Sequence, residues 1–328
     1  MAKNKFLYII ILFAVAVYLV MGIYADMGRL LSIMDNFRWN FFILLLILTT
    51  ISYLIRFIKW DFFLKKVGIR LGVRDNLFVF LSGFSMVMTP AKVGEVWKCW
   101  LIKDINGEKL NKTVPVVIID RITDVLGLII LAMLGILYYM DGIYIILALL
   151  LLFTGFMIAV RSKTISGKII MLLENRIGKY AENVKTMHET LVTLMRPRGL
   201  AGMSFLSAFA WFFECLVMYI IILGFGQSIK ITLATFMFSF ASLAGAVSMV
   251  PGGLGVAEGT ISGLLQYFGT APAVSVAITI FVRAVTLWYG AILGLSVYLI
   301  FNKKVKRDGS TRIINTSEGE IKCQKLQL

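Results

Sequence analysis

Residues 231–268 read ITLATFMFSFASLAGAVSMVPGGLGVAEGTISGLLQYF. An apolar run ends at Pro251-Gly252-Gly253-Leu254-Gly255, and a second apolar run follows from 256 to 268. Thirteen residues are too few to cross a hydrocarbon core, which takes about 20 helical residues. Residues 77–102, LFVFLSGFSMVMTPAKVGEVWKCWLI, have the same form. There 77–89 is apolar and short, Pro90-Ala91-Lys92-Val93-Gly94-Glu95 breaks it, and 96–102 resumes. A short apolar helix beside a Pro/Gly break is tolerated at membrane depth only where protein or a cavity surrounds it. Both stretches are therefore expected to be broken, re-entrant helix pairs.

The rest of the chain supplies the membrane. Of 328 residues, 59% are hydrophobic and 16% charged, with mean hydropathy +0.87. That is too little charge to cover a soluble surface. Apolar runs at 6–24, 40–63, 113–139, 142–160, 200–223 and 272–301 are long enough to span. They are continuous, not alternating, so a β-barrel is excluded. The net charge of +15 is explained by basic loops that set orientation, not by nucleic acid. Lys65, Lys66, Arg70 and Arg74 flank one side of the first broken pair, and Lys92, Lys98, Lys103, Lys109 and Lys112 the other. With both pairs re-entrant, these charges fall on one side. The 161–199 linker (Arg161, Lys168, Arg196, Arg198) and the tail cluster Lys303, Lys304, Lys306 and Arg307 fall there too. This predicts a cell-membrane, multi-pass protein with both termini cytosolic. The linker is expected either on the cytosolic leaflet or as a plain surface helix, and the 302–328 tail as polar chain without a fold. Cys99, Cys215 and Cys323 show no pairing or metal spacing, and His188 is the only histidine. No cofactor is expected.

An internal repeat organises these parts. Pro90 and Pro251 each precede a glycine at +4, Gly94 and Gly255, and then an acid, Glu95 and Glu258. Arginine follows at +31 and +32, as Arg121 and Arg283, with Gly127 and Gly290 just beyond. The predicted fold is an all-α polytopic membrane protein built as an inverted repeat of three spans plus a broken pair. The halves are 1–139 and 140–301, followed by the tail 302–328.

Charged residues inside the spans mark the candidate site. An ionisable side chain at mid-bilayer costs about 2.5–3.5 kcal/mol on insertion scales and so faces the protein interior. The primary set is Glu95, Asp120, Arg121, Asp124, Glu258 and Arg283, with the backbone of Pro251, Gly252, Gly253 and Gly255. Arg121 and Arg283 are natural partners for Glu95 and Glu258, or for a phosphate, which a guanidinium grips bidentately. A helix starting after Gly255 would aim its positive end at an anion, unless the glycines only make a tight turn. Arg56, Lys59 and Glu214 are secondary candidates; snorkelling alone accounts for Arg56 and Lys59. Asp120 and Asp124 share a helix face and could hold Mg²⁺, but Arg121 between them and the lack of further carboxylates argue against phosphotransfer.

"TPAKVGEVWKCWLI" (89–102), "DRITDVLGL" (120–128) and "MVPGGLGVAEG" (249–259) resemble the lysylphosphatidylglycerol synthase transmembrane-domain family, over nearly the whole chain up to about residue 301. The resemblance implies lipid work: such a domain moves a modified lipid between leaflets, while a separate soluble domain attaches the amino acid. Only a polar tail follows Phe301, so the resemblance carries no synthase activity, and the chain is not expected to be an enzyme. The expected function is translocation of a phospholipid or lipid-linked intermediate. Its partners are anionic or phosphate-bearing membrane lipids, not nucleic acid. The alternatives are an ion or small-solute carrier, or a non-transporting partner of a lipid-modifying or glycosyl-transfer enzyme.

Overall fold

The computed structural model describes residues 2–87, 89, 94–136, 140, 142–162 and 181–301. Pro90 of the first break, residues 137–139 and 163–180, and the tail 302–328 lie outside them. All regular structure among the described residues is helical. In chain order the helices are α1 (Ala2–Tyr24), α2 (Met27–Asp35), α3 (Phe42–Lys66), α4 (Val73–Phe84), α5 (Trp97–Asn106) and α6 (Leu110–Met133). They continue with α7 (Gly142–Arg161), α8 (Ala181–Leu194), α9 (Pro197–Gly224), α10 (Ile231–Val247), α11 (Val256–Tyr267) and α12 (Pro272–Phe301).

Among the described residues, three stretches are long and apolar enough to cross a membrane: Trp39–Lys66, Pro197–Gly224 and Pro272–Phe301. The expected first span, at the end of α1, is followed by a sharp bend. Leu12–Tyr24 turns through 92° into Met27–Asp35. Asp26 makes the corner with φ 62°, and its carboxylate accepts the Gly28 N–H at 3.2 Å, capping α2. Helix α6 has the length of a span but carries Asp120, Arg121 and Asp124 in its middle. Helix α7 presents Leu147, Leu151, Leu152 and Ile158 outward.

Both predicted breaks are present. In the second, the chain leaves α10, makes a 3₁₀ turn at Pro251–Gly253 and enters α11, which packs back on α10. Gly252 and Gly253 have φ of 62° and 67°, backbone that a side chain disfavours. A Cβ on Gly253 would also lie 3.1 Å from Gly245 Cα, so only glycine allows this close return. In the first, α4 packs on α5, with a tight turn at 94–96 between them.

Among the described residues the buried apolar side chains form two large cores and two small ones. One large core gathers Trp60, Phe63 and Leu64 of α3, Phe78–Phe80 of α4, Cys99–Ile105 of α5 and Val116–Ile119 of α6. The other gathers Leu45 of α3, Leu128–Ile136, and the inner faces of α9, α10, α11 and α12. Helices α3 and α6 run through both, and their charged residues fall between the cores. Arg56 and Lys59 lie between Leu45 and Trp60; Asp120, Arg121 and Asp124 lie between Ile119 and Leu128.

The close approaches are reciprocal. A Cβ on Gly127 of α6 would sit 2.6 Å from the Ala208 nitrogen of α9, and one on Gly290 of α12 would sit 2.5 Å from the Tyr53 hydroxyl of α3. Farther along, Gly135 closes on Phe236 of α10 and Gly294 on the Leu81 carbonyl of α4. Helix α6 thus packs on α9 and α10, and α12 on α3 and α4. Helices α3 and α9 meet each other along most of their length.

Candidate functional site

Lys59 anchors the site. It is 1% exposed, and its Nζ lies 2.5 Å from Asp124 Oδ1 and 3.1 Å from Asp120 Oδ1. It also donates to the Asp120 carbonyl and Thr123 Oγ1 at 3.1 Å each and to Ser207 Oγ at 3.2 Å. Thr123 and Asp124 face it because they lie one turn beyond Asp120 on α6. Ser207 donates to Asp124 Oδ1 at 2.6 Å, tying α9 to the cluster. A five-oxygen shell around one ammonium is interior pairing, not snorkelling, so the snorkelling reading of Lys59 is overturned by its burial. The same ammonium takes the position between Asp120 and Asp124 that a Mg²⁺ would need.

Arg121 points away from Lys59 and closes the other side of the carboxylates. Its Nη2 lies 2.7 Å from Asp120 Oδ2, its Nη1 3.1 Å from Asp124 Oδ2, and its Nε 3.1 Å from Glu95 Oε2. Lys98, expected as a cytosolic loop charge, is buried instead. Its Nζ lies 3.5 Å from Glu95 Oε2 and 4.9 Å and 5.1 Å from the ring centroids of Trp60 and Phe80. At the second break the geometry recurs: Arg283 Nε donates to Glu258 Oε1 at 2.6 Å, and its Nη2 donates to the Gly252 carbonyl at 2.5 Å. Arg121 and Arg283 thus each pair with the glutamate that follows the preceding Pro/Gly break, Glu95 and Glu258.

The N-terminus of α11 is not open to an anion at Gly255. The Glu258 carboxylate accepts the Gly255 N–H at 2.8 Å and fills that position itself. Tyr18 of α1 completes this corner, donating to Glu258 Oε1 at 3.5 Å and accepting from Trp288 Nε1 at 2.9 Å.

The third pair joins the halves directly. Arg56 Nη2 of α3 lies 2.6 Å from Glu214 Oε1 of α9, and Ser52 donates to the same oxygen at 3.1 Å. The Arg56 guanidinium carbon stands 3.7 Å from the Trp211 ring centroid. Arg56 is 8% exposed, which overturns snorkelling for it as well. Next to it, α12 widens into a π-turn at Ala284–Trp288. Such a turn disturbs the regular carbonyl bonding of the helix, and the Tyr53 hydroxyl donates to the Thr286 carbonyl at 2.8 Å.

These side chains surround a cavity of about 260 Å³. Arg56, Arg121 and Arg283 line it together with Glu95, Asp124 and Glu214. Trp211, Tyr53 and the Gly252 and Gly253 backbone add to the wall, and the exposed Ala246 and Met249 lie at its edge. Five cations (Arg56, Lys59, Lys98, Arg121, Arg283) stand against five carboxylates (Glu95, Asp120, Asp124, Glu214, Glu258). Among the described residues the charges of the site balance, which is how ions survive in a low-dielectric interior. Pro251 sits in the turn beside the cavity; Pro90 is outside the described residues. Tyr18, Tyr53, Lys98, Ser207 and Trp211 were not expected in the site. Only Lys98 carried a signal, its i, i+3 spacing from Glu95.

The comparisons with known proteins agree with this architecture. Residues 11–294 match the lysylphosphatidylglycerol synthase TM region. A UPF0104 membrane protein of Pyrococcus horikoshii is 26% identical over 91% of this chain and 98% of its own length. One from Methanothermobacter thermautotrophicus is 25% identical over 76% of this chain and 81% of its own. One from Methanocaldococcus jannaschii is 21% identical over 94% and 99%. The chain is a helical, multi-pass membrane protein and belongs to the lysylphosphatidylglycerol synthase transmembrane-region family.

Proposed function

We propose that this chain is a translocase of the cell membrane for a phospholipid or lipid-linked intermediate, carrying a phosphate-bearing headgroup through the cavity between two oppositely oriented halves. The observation that carries this reading is the cavity itself. Three arginines from α3, α6 and α12 reach it, each held by a carboxylate from a different segment of the chain. A headgroup entering between them exchanges existing ion pairs for new ones without leaving a bare charge, so entry and exit cost little. The volume suits a polar headgroup, while acyl chains stay at the apolar edge near Ala246 and Met249.

A two-fold relation between the halves is supported by the reciprocal glycine contacts of α6 with α9 and of α12 with α3, while the inverted orientation with both termini cytosolic rests on the basic residues of the loops. Isologous packing of this kind is what a two-fold relation between halves produces. On this reading the chain carries lipid and does no lipid chemistry of its own. Any aminoacyl or glycosyl transfer belongs to a partner enzyme. A carrier for ions or small solutes uses the same scaffold, and the matched charges suit it equally. The cavity edge, apolar and outward-facing, favours lipid.

Proteoliposomes decide between them. Headgroup movement of fluorescent phospholipids, measured by quenching from outside over a panel of lipids, should exceed that in protein-free vesicles. Equal movement for every lipid tested, together with uptake of a soluble ion or solute, sinks the lipid reading.

A further inference from the structure

The donors around the cavity are not equally occupied. Arg121 has a carboxylate oxygen of Glu95, Asp120 or Asp124 within 3.1 Å of each of its three nitrogens, although its Nε makes no aligned hydrogen bond, and Arg283 commits Nε and Nη2 to Glu258 and Gly252. Arg56 and Trp211 differ. Arg56 Nε and Trp211 Nε1 are both buried, and neither has a hydrogen-bond partner among the described residues. Each residue is 8% exposed, and both line the cavity. The guanidinium lies 3.7 Å from the indole centroid, so the two side chains stack against each other at the wall of the same cavity. A buried donor without an acceptor costs free energy unless something fills the place.

We propose that Arg56 and Trp211 form the docking point for one anionic phosphate oxygen of the cargo, with Arg56 Nε–H and Trp211 Nε1–H as its donors. The proposal deepens the translocase reading and rests on it for the identity of the cargo. Glu214 is then a positioning residue. By holding Arg56 Nη2 at 2.6 Å it fixes the guanidinium plane and leaves Nε for the ligand. It also keeps the local charge near neutral, so the phosphate is held weakly enough to leave again, as passage through a membrane requires.

Two conservative variants isolate the donors. Trp211→Phe keeps the aromatic face under the guanidinium and deletes one N–H. Arg56→Lys keeps the charge and the reach to Glu214 and deletes the other. The purified full chain in detergent is titrated with phosphatidylglycerol, and separately with diacylglycerol bearing the same acyl chains, and bound lipid is counted by native mass spectrometry. Each variant should weaken phosphatidylglycerol about tenfold, the value of one charge-assisted hydrogen bond. Diacylglycerol binding should not change, and melting temperatures confirm that the variants are folded.

Inorganic phosphate added as competitor separates the sources of the anion. Displacement of phosphatidylglycerol means that free phosphate satisfies the same donors; no displacement means that the lipid chains are needed as well. Wild-type affinity for phosphatidylglycerol in both variants, or equal affinity of the wild type for both lipids, overturns the docking point. Vesicle movement of lipid is scored independently. Loss of binding in the variants without movement in the wild type defeats the translocase reading and leaves the docking point standing. Movement with unaltered binding does the reverse.

Discussion

Lys59 Nζ lies 2.5 Å from Asp124 Oδ1, with the two side chains 1% and 5% exposed. Between two apolar cores, an ammonium and a carboxylate on α3 and α6 tie the helices that run through both. The bond explains how charges persist in this interior: each buried charge has an opposite charge beside it. Breaking a buried pair from one side leaves a bare charge, at about 3–5 kcal/mol.

Lys59→Met is therefore expected to lower stability by about that amount. Asp124→Asn in the same chain removes part of the stranded charge, so the double variant should be more stable than the sum of the single effects. Thermal unfolding in detergent for the four members of the cycle checks this. Strict additivity would mean that Lys59 and Asp124 do not act as a pair.

Gly127 and Gly155 should respond oppositely to alanine. A Cβ at Gly127 meets the Ala208 nitrogen at 2.6 Å and the Ser207 carbonyl carbon at 2.9 Å, backbone atoms that move only if α6 and α9 part. Gly127→Ala should cost about 1–3 kcal/mol. At Gly155 of α7 nothing lies within 4 Å, and alanine gains helix propensity there. Unfolding temperatures should fall for the first and hold or rise for the second; a harmless Gly127→Ala contradicts the packing described.

Gly290 offers a rescue experiment. A Cβ there would stand 2.5 Å from the Tyr53 hydroxyl, the group that bonds the Thr286 carbonyl at the π-turn. Gly290→Ala should destabilise by about 1–3 kcal/mol. Adding Tyr53→Phe removes the clashing oxygen and should recover part of the loss. If the second change makes matters worse, the hydroxyl is not what alanine displaces.

Much of this site was legible in the sequence because its signals were local. Pro/Gly breaks within apolar runs located both interrupted pairs, and the matched offsets from Glu95 to Arg121 and from Glu258 to Arg283 announced the two ion pairs. Other features depend on where distant segments meet. Trp211 is one aromatic among many in an apolar helix, and nothing local marks it as the platform for Arg56. Basic residues near a helix end ordinarily snorkel, so Lys59 and Lys98 read as boundary charges until α6 and α5 were in place. The open helix end expected after Gly255 failed on a single rotamer: Glu258 turns back to cap the turn it begins. The bend after Tyr24 depends on Asp26 adopting a positive φ, which composition does not reveal.

The opposed orientation of the two halves is the claim on which headgroup passage depends, and accessibility labelling tests it most directly. Cysteines at Asn106 and Gly269, introduced singly with Cys323→Ser, are probed with a membrane-impermeant thiol reagent in intact cells and after permeabilisation; Cys99 and Cys215 are buried. The account predicts that Gly269→Cys is labelled from outside and Asn106→Cys only after permeabilisation. Labelling of both from the same side contradicts it.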